Sequence, residues 1–214
     1  MARQGGALMS MDQASRARPT RQVSTFLRLL SLPAIFSGSD LTMRFQWTSR
    51  KASHYLYLWK KRGLVQALGG HSDVFANILI QPQPDWDSAL CAAMPSAVVV
   101  GVEALRRAGW TTQIQVRPDV AVDESMPVFS VSHFTVLARS PSWFAQSKRG
   151  IKNGCLTPAW ALADMLHHLG WGACGLQPDD IEWDRVKDAD RRQWSAACQC
   201  YGLEVSQAAS LIRT

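Results

Sequence analysis

No apolar run in this sequence approaches the roughly 20 residues that a helix needs to cross a bilayer, and the amino terminus has no continuous apolar segment of the signal-peptide kind. The expectation is a soluble, cytoplasmic protein with no membrane partner. Cysteine is sparse and odd in number: Cys91, Cys155, Cys174, Cys198 and Cys200. An odd count in a chain of 214 residues does not resemble a small stapled secreted module, so reduced thiols are expected. Cys198 and Cys200 have no second matching pair, and Cys174 and His167-His168 complete a zinc site with them only through an assumed fold. Neither standard form of glycine-rich nucleotide loop occurs. Asp119, Asp123 and Glu124 offer only a loose spacing for a divalent ion. The sequence therefore predicts no metal, no cofactor and no enzyme.

What the sequence has is charge in one place. The formal net charge is +6. Residues 1–23 carry four arginines and one aspartate, and residues 24–70 carry seven basic residues and one acidic. Residues 71–214 hold 12 basic and 15 acidic residues, so the basic excess lies entirely in the first third. That asymmetry fits an amino-terminal module that meets a polyanion. Residues 1–22, with Arg16, Arg18, Arg21 and an interrupting Pro19, read as a disordered basic arm.

From 23 to 81 the pattern predicts three short helices and a hairpin. Val23 to Leu30 forms the first helix, with Phe26, Leu27 and Leu30 inward. Ser39 or Asp40 starts the second, which contains Leu41 and Phe45. Ser49 caps the third, whose Ala52, Tyr55, Leu56 and Trp59 recur at the spacing of one buried face. Gly63 ends that helix; Leu64 to Leu68 then forms a strand that pairs across Gly69-Gly70 with Val74 to Ile80. This is the order of a winged helix-turn-helix, and it points to double-stranded DNA. The candidate contacts are Ser49, Arg50, Lys51, Ser53, His54, Tyr57, Lys60, Lys61 and Arg62 on the third helix, with His71 at the wing tip. Arg50, Lys51 and His54 occupy the first two turns, where side chains meet base edges or flanking phosphates. Lys60 to Arg62 suit the negative end of the helix dipole and read equally well as a solvated cluster.

Gln81-Pro-Gln-Pro-Asp85 is the expected boundary, since two prolines cannot continue a ladder. Residues 85–214 then read as a mixed α+β domain. Helices are predicted over Asp85 to Met94, from Gly101 to a stop at Gly109, from Pro158 behind a Thr157 cap, and over Arg185 to Tyr201. Strands are predicted at Ala97 to Val100, Thr111 to Val116 and within Met126 to Phe134. Val205 to Leu211 closes the fold. On the helix after Thr157 the apolar stripe is Leu162, Met165, Leu166 and Leu169. The tryptophans Trp143, Trp160, Trp171, Trp183 and Trp194 read as core or interface packing ahead of base stacking. Lys148, Arg149 and Lys152 form a local basic surface.

The segment Gly101, Ala104-Leu105, Gly109 and Thr112-Gln113, with the later Ala161, Leu162 and Asp164, resembles the bacterial AbiEi-type antitoxin family of type IV toxin-antitoxin and abortive-infection systems. The likeness spans roughly residues 24 to 170. It departs where the family often has a glutamate before an arginine and this chain has Ala159 and Trp160. The resemblance implies an amino-terminal winged helix that represses its own operon. It also implies a carboxy-terminal domain that opposes a nucleotidyltransferase-like toxin without a stable complex, and in that domain Lys148, Arg149 and Lys152 are a candidate antitoxin surface.

The expectation is thus an autoregulatory, sequence-specific DNA-binding repressor that meets its own promoter as a dimer or as cooperative monomers, with antitoxin activity implied by the resemblance. A protein-binding adaptor built on a winged helix is the alternative, and a metal-dependent nucleic-acid enzyme a more distant one.

Overall fold

Side-chain caps set out the first three helices in the computed structural model, which describes residues 24–203. The expected basic arm and the closing segment from Val205 lie outside those residues. Ser24 Oγ accepts the Leu27 amide at 3.3 Å and opens α1, Thr25–Leu30. Ser37 and Asp40 form a reciprocal capping box, 3.2 and 2.7 Å, at the start of α2, Gly38–Phe45. Thr48, one residue earlier than expected, caps α3, Ser49–Lys61, by accepting the Lys51 amide at 3.3 Å. Ser49 therefore occupies the first helical position, where its side chain is exposed.

Three strands close this part of the chain. β1, Ile35–Ser37, and β2, Val65–Ala67, pair antiparallel on either side of β3, Val74–Asn77, giving the order β1-β3-β2. The hairpin after α3 is present, but β3 stops at Asn77 and Ile78–Ile80 turn away. β1 has no counterpart among the expected elements. Leu29, Leu41, Leu56, Trp59 and Val65 pack one core cluster. The inward face expected of the first helix is corrected: Phe26 and Leu27 are 47% and 55% exposed and Leu29 is fully buried. The buried Asn77 amide donates to the Leu29 carbonyl at 2.8 Å, which turns that side of a six-residue helix toward the sheet.

The rest of the described chain builds a second sheet of five short strands. These are β4, Val98–Val99; β5, Asp119–Asp123; β6, Thr135–Arg139; β7, Ile151–Lys152; and β8, Cys155–Leu156, in the order β6-β5-β4-β8-β7. β5 and β6 run parallel, as do β4 and β8; the other two pairs are antiparallel. The helices are α4, Trp86–Ala93; α5, Gly101–Arg107; α6, Pro141–Ser147; α7, Pro158–His168; and α8, Asp188–Tyr201. α7 is the most enclosed, with every residue from Ala159 to Met165 buried between α5 and α8. Leu169, expected on its apolar stripe, is 58% exposed because α7 ends at His168. Trp143, Trp160 and Trp194 are buried in the same cluster. The chain is a mixed α+β fold.

Two expected strands are absent. Thr111 to Val116 has the right alternation but pairs with nothing, and Ile114 and Val116 are 82% and 99% exposed. The strand lies three residues later, at Asp119–Asp123, where Val120, Ala121 and Val122 are all buried between two neighbouring strands and so show no alternation. Within Met126 to Phe134 there is a single bridge, Val131 to Phe134, and the strand again begins one residue later.

The prolines at 82 and 84 interrupt the secondary structure but not the packing. Leu68 and Val74 from the hairpin share one apolar cluster with Leu90, Met94, Val99, Val120 and Phe134. At the hairpin tip, the Ser132 amide donates to the Leu68 carbonyl at 3.1 Å. Among the described residues no helix is long and apolar enough to cross a membrane.

Candidate nucleic-acid interface

α3 buries Ala52, Leu56 and Trp59 and half-buries Tyr55, which fixes the opposite side outward. At about 100° per residue, Arg50, His54, Tyr57 and Lys61 fall within one narrow stripe diametrically opposed to Trp59 and Ala52. All four are exposed, Tyr57 at 63%. The remaining sequence candidates occupy the flanks. Lys51 is drawn sideways, with its ammonium 5.2 Å from the Trp47 ring centre. Ser53 faces a shallow hollow shared with Ser39, Thr42 and Asp73 on the other side. Lys60 borders a second hollow lined by Gly63, Gln66, Gly69 and Ser132. Arg62 is the C-cap residue.

The helix ends where its electrostatics suit a cation. Gly63, at φ +68°, lets its own amide reach the Lys60 carbonyl and the Leu64 amide reach the Trp59 carbonyl, both at 3.0 Å. The chain then turns into β2 directly below the Lys60–Arg62 cluster. Among the described residues, none of Arg44, Arg50, Lys51, Lys60, Lys61 and Arg62 has a carboxylate within ion-pair distance; the ion pairs lie beyond residue 85. This surface is therefore a local excess of positive charge.

Trp47 anchors the start of α3. Its buried ring meets Phe45 at 5.3 Å, Tyr55 at 4.7 Å and Trp59 at 6.1 Å, and Arg28 lies 5.4 Å from it. Arg44, in the last turn of α2, is not among the sequence candidates, and its exposure adds a cation to this surface. The signal was there: a basic residue closing a helix that ends just ahead of α3.

His71 is exposed, but the tip carrying it is not a free projection. A Cβ on Gly70 would overlap the Ser130 carbonyl, and one on Gly69 would overlap the Ser132 hydroxyl. The tip is thus seated on residues 130–132. Lys148, Arg149 and Lys152 are exposed together on the turn preceding β7 and on β7 itself, an edge of the second sheet. Asp119 and Asp123 stand at opposite ends of β5, about 13 Å apart along a five-residue strand. Asp119 accepts from the Gln115 amide and Asp123 from the Ser125 amide and hydroxyl, so the loose carboxylate spacing does not converge. Among the described residues no group of three His, Cys, Asp or Glu side chains is placed to hold a metal ion.

No family model matches this chain, and no curated protein sequence matches it. A solved structure that resembles it is that of the RV2827C protein from Mycobacterium tuberculosis, with a TM-score of 0.49, 14% identity, and 86% of this chain and 77% of that one covered. A likeness of that degree assigns neither a family nor an activity.

Proposed function

We propose that the chain is a sequence-specific double-stranded DNA-binding repressor whose amino-terminal part is a winged helix. The observation that carries this reading is the stripe Arg50, His54, Tyr57 and Lys61, which sits outward on a helix whose other side is locked by Trp59 and Leu56. An α-helix of 13 residues presenting long cationic and hydrogen-bonding side chains in line fits the major groove, where arginine reads guanine and flanking lysines hold phosphates. The element order α1-β1-α2-α3-β2-β3 and the sheet order β1-β3-β2 support the winged-helix assignment. Autoregulation and a type IV antitoxin role, acting on a nucleotidyltransferase-like toxin without a stable complex, rest on the AbiEi resemblance of Gly101, Ala104-Leu105, Gly109 and Ala161-Leu162.

The test is fluorescence anisotropy of the full chain on its own upstream DNA and on a shuffled duplex, across a salt series. At least a tenfold preference for the native sequence is expected, since each good base contact contributes about 1–3 kcal/mol of discrimination. The four cations flanking Arg50, namely Lys51, Lys60, Lys61 and Arg62, set a log–log salt slope of about −3.6 for each bound module when each neutralises one phosphate. Arg50→Ala should erase the preference, whereas Lys60→Ala should weaken both duplexes alike. Equal binding to both duplexes by the unaltered protein would remove the assignment.

A further inference from the structure

The second half of the chain holds a polar pocket that the DNA-binding reading does not use. It is an open cavity of about 260 Å³ lined by Arg139, Ser142, Gln146, His167, His168 and Tyr201, among others. These side chains come from four elements: Arg139 ends β6, Ser142 and Gln146 lie on α6, the histidines close α7, and Tyr201 closes α8. Behind the lining stands Asp164, only 2% exposed. Its Oδ1 accepts the Trp143 indole N–H at 2.6 Å and lies 3.4 Å from His168 Nε2, while Oδ2 lies 3.6 Å from an Arg139 Nη. The buried carboxylate thereby holds the arginine and the histidine in place from the rear.

Arg139 is held without being used up. Its guanidinium sits 5.9 Å from the Trp143 ring centre, and among the described residues none of its donors has an acceptor within hydrogen-bond distance. Its Nε is fully buried in that state. A guanidinium fixed by a ring and an ion-paired carboxylate, with its Nε closed to solvent and its side chain 21% exposed, has only its remaining donors to offer a ligand that brings oxygens to it. Ser142, Gln146, His167 and His168 line the same space and bring polar groups to a tetrahedral acceptor from several directions, while the Tyr201 hydroxyl is paired with the buried Ser147 hydroxyl at 2.9 Å. At about 260 Å³ the cavity falls just below the roughly 300–1,000 Å³ of sites for drug-sized ligands, which points to a small molecule.

We propose that this pocket binds the phosphate group of a small phosphate monoester, with Arg139 as the principal contact and Asp164 as its positioning residue. The assignment is independent of α3 and of DNA.

The test follows the imidazole C–H resonances of all five histidines of the full chain by NMR while inorganic phosphate is added at constant pH and ionic strength. Saturable shifts of His167 and His168 are expected, with His133 unmoved and with His54 reporting separately any phosphate on α3. Arg139→Gln should weaken the saturation about ten- to a hundredfold. Should that variant not fold, Ser142→Glu, at an exposed position on α6, puts a like charge at the mouth and should weaken it as well. Ribose 5-phosphate tighter than inorganic phosphate would assign the pocket to a sugar phosphate, and equal affinity would assign it to the phosphate group alone. Linear shifts without saturation, saturation unchanged in both variants, or acetate binding as well as phosphate would each overturn the proposal.

Discussion

Replacing Gly70 with alanine tests whether the hairpin tip is seated on the second half of the chain, and Gly63→Ala supplies the matched control. Both glycines have left-handed backbones, φ +61° and +68°. An alanine in that region costs about 1–2 kcal/mol at either position. The surroundings differ. A Cβ on Gly63 meets nothing within 4 Å, whereas one on Gly70 overlaps the Ser130 carbonyl. To relieve that overlap the tip must part from residues 130–132. This lengthens the 3.1 Å bond from the Ser132 amide to the Leu68 carbonyl, which contributes about 1 kcal/mol. It also loosens Leu68 and Val74 from the cluster around Val120 and Phe134, an overpacking cost of about 1–3 kcal/mol. The expected losses are about 1–2 kcal/mol for Gly63→Ala and about 3–6 kcal/mol for Gly70→Ala. Urea unfolding followed by tryptophan fluorescence measures both, and the thermal midpoints should differ by roughly 4–16 °C, about 2–4 °C for each kcal/mol in a chain of this size. Equal losses in the two variants would refute the seated tip.

Three further outcomes are expected. Asn77→Ala should cost about 1–3 kcal/mol in the same urea assay, because the Leu29 and Leu32 carbonyls at the end of α1 lose their buried donor; an unchanged midpoint would show that α1 is held otherwise. Stability should fall as pH rises from 9 toward 11. Burial pushes the Cys198 thiol up to about 11 and raises Tyr201 as well, so the unfolded chain releases these protons first; stability is complete below the unfolded thiol value and is lost through the folded one, as a pH series of thermal melts would record. His71→Ala should leave DNA affinity unchanged while Arg50→Ala reduces it, since His71 sits on the seated tip and Arg50 on the open stripe of α3; a larger loss from His71→Ala in the anisotropy titration would reverse the two roles.

The parts of the fold that were legible share one property: a single buried side with a regular period. α3 shows its inward face at Ala52, Leu56 and Trp59, and its stop at Gly63, because each signal is local and the helix is 13 residues long. The boundary errors there are of one residue, Thr48 for Ser49, as expected when two hydroxyl residues adjoin and either could accept the amide of the first turn. β5 was missed for the opposite reason. Val120, Ala121 and Val122 are buried on both sides, so the strand lacks alternation, while Thr111 to Val116 alternates and lies open to solvent. Pairing partners distant in sequence decide which of two such segments becomes a strand, and no window of neighbouring residues contains them. β1 fails in the same way, since three residues after a proline become a strand only because β3 offers them an edge.

The same division separates the two candidate sites. Every side chain of the stripe proposed to meet DNA lies within 12 residues of one helix, so spacing alone collects Arg50, His54, Tyr57 and Lys61. The phosphate pocket draws on Arg139, Ser142, Asp164, His168 and Tyr201 from four helices and strands, and no motif spans them. In the sequence, Asp164 is marked only through the AbiEi resemblance of Ala161, Leu162 and Asp164. Its burial fixes what must surround it: a carboxylate at 2% exposure requires donors, and the chain meets that requirement with Trp143, His168 and Arg139 from α6, α7 and β6. A single charged residue on the inward side of a well-formed helix is therefore the local trace of a site whose other members are distant. The group that organises this pocket lies in the core, beneath the open surface.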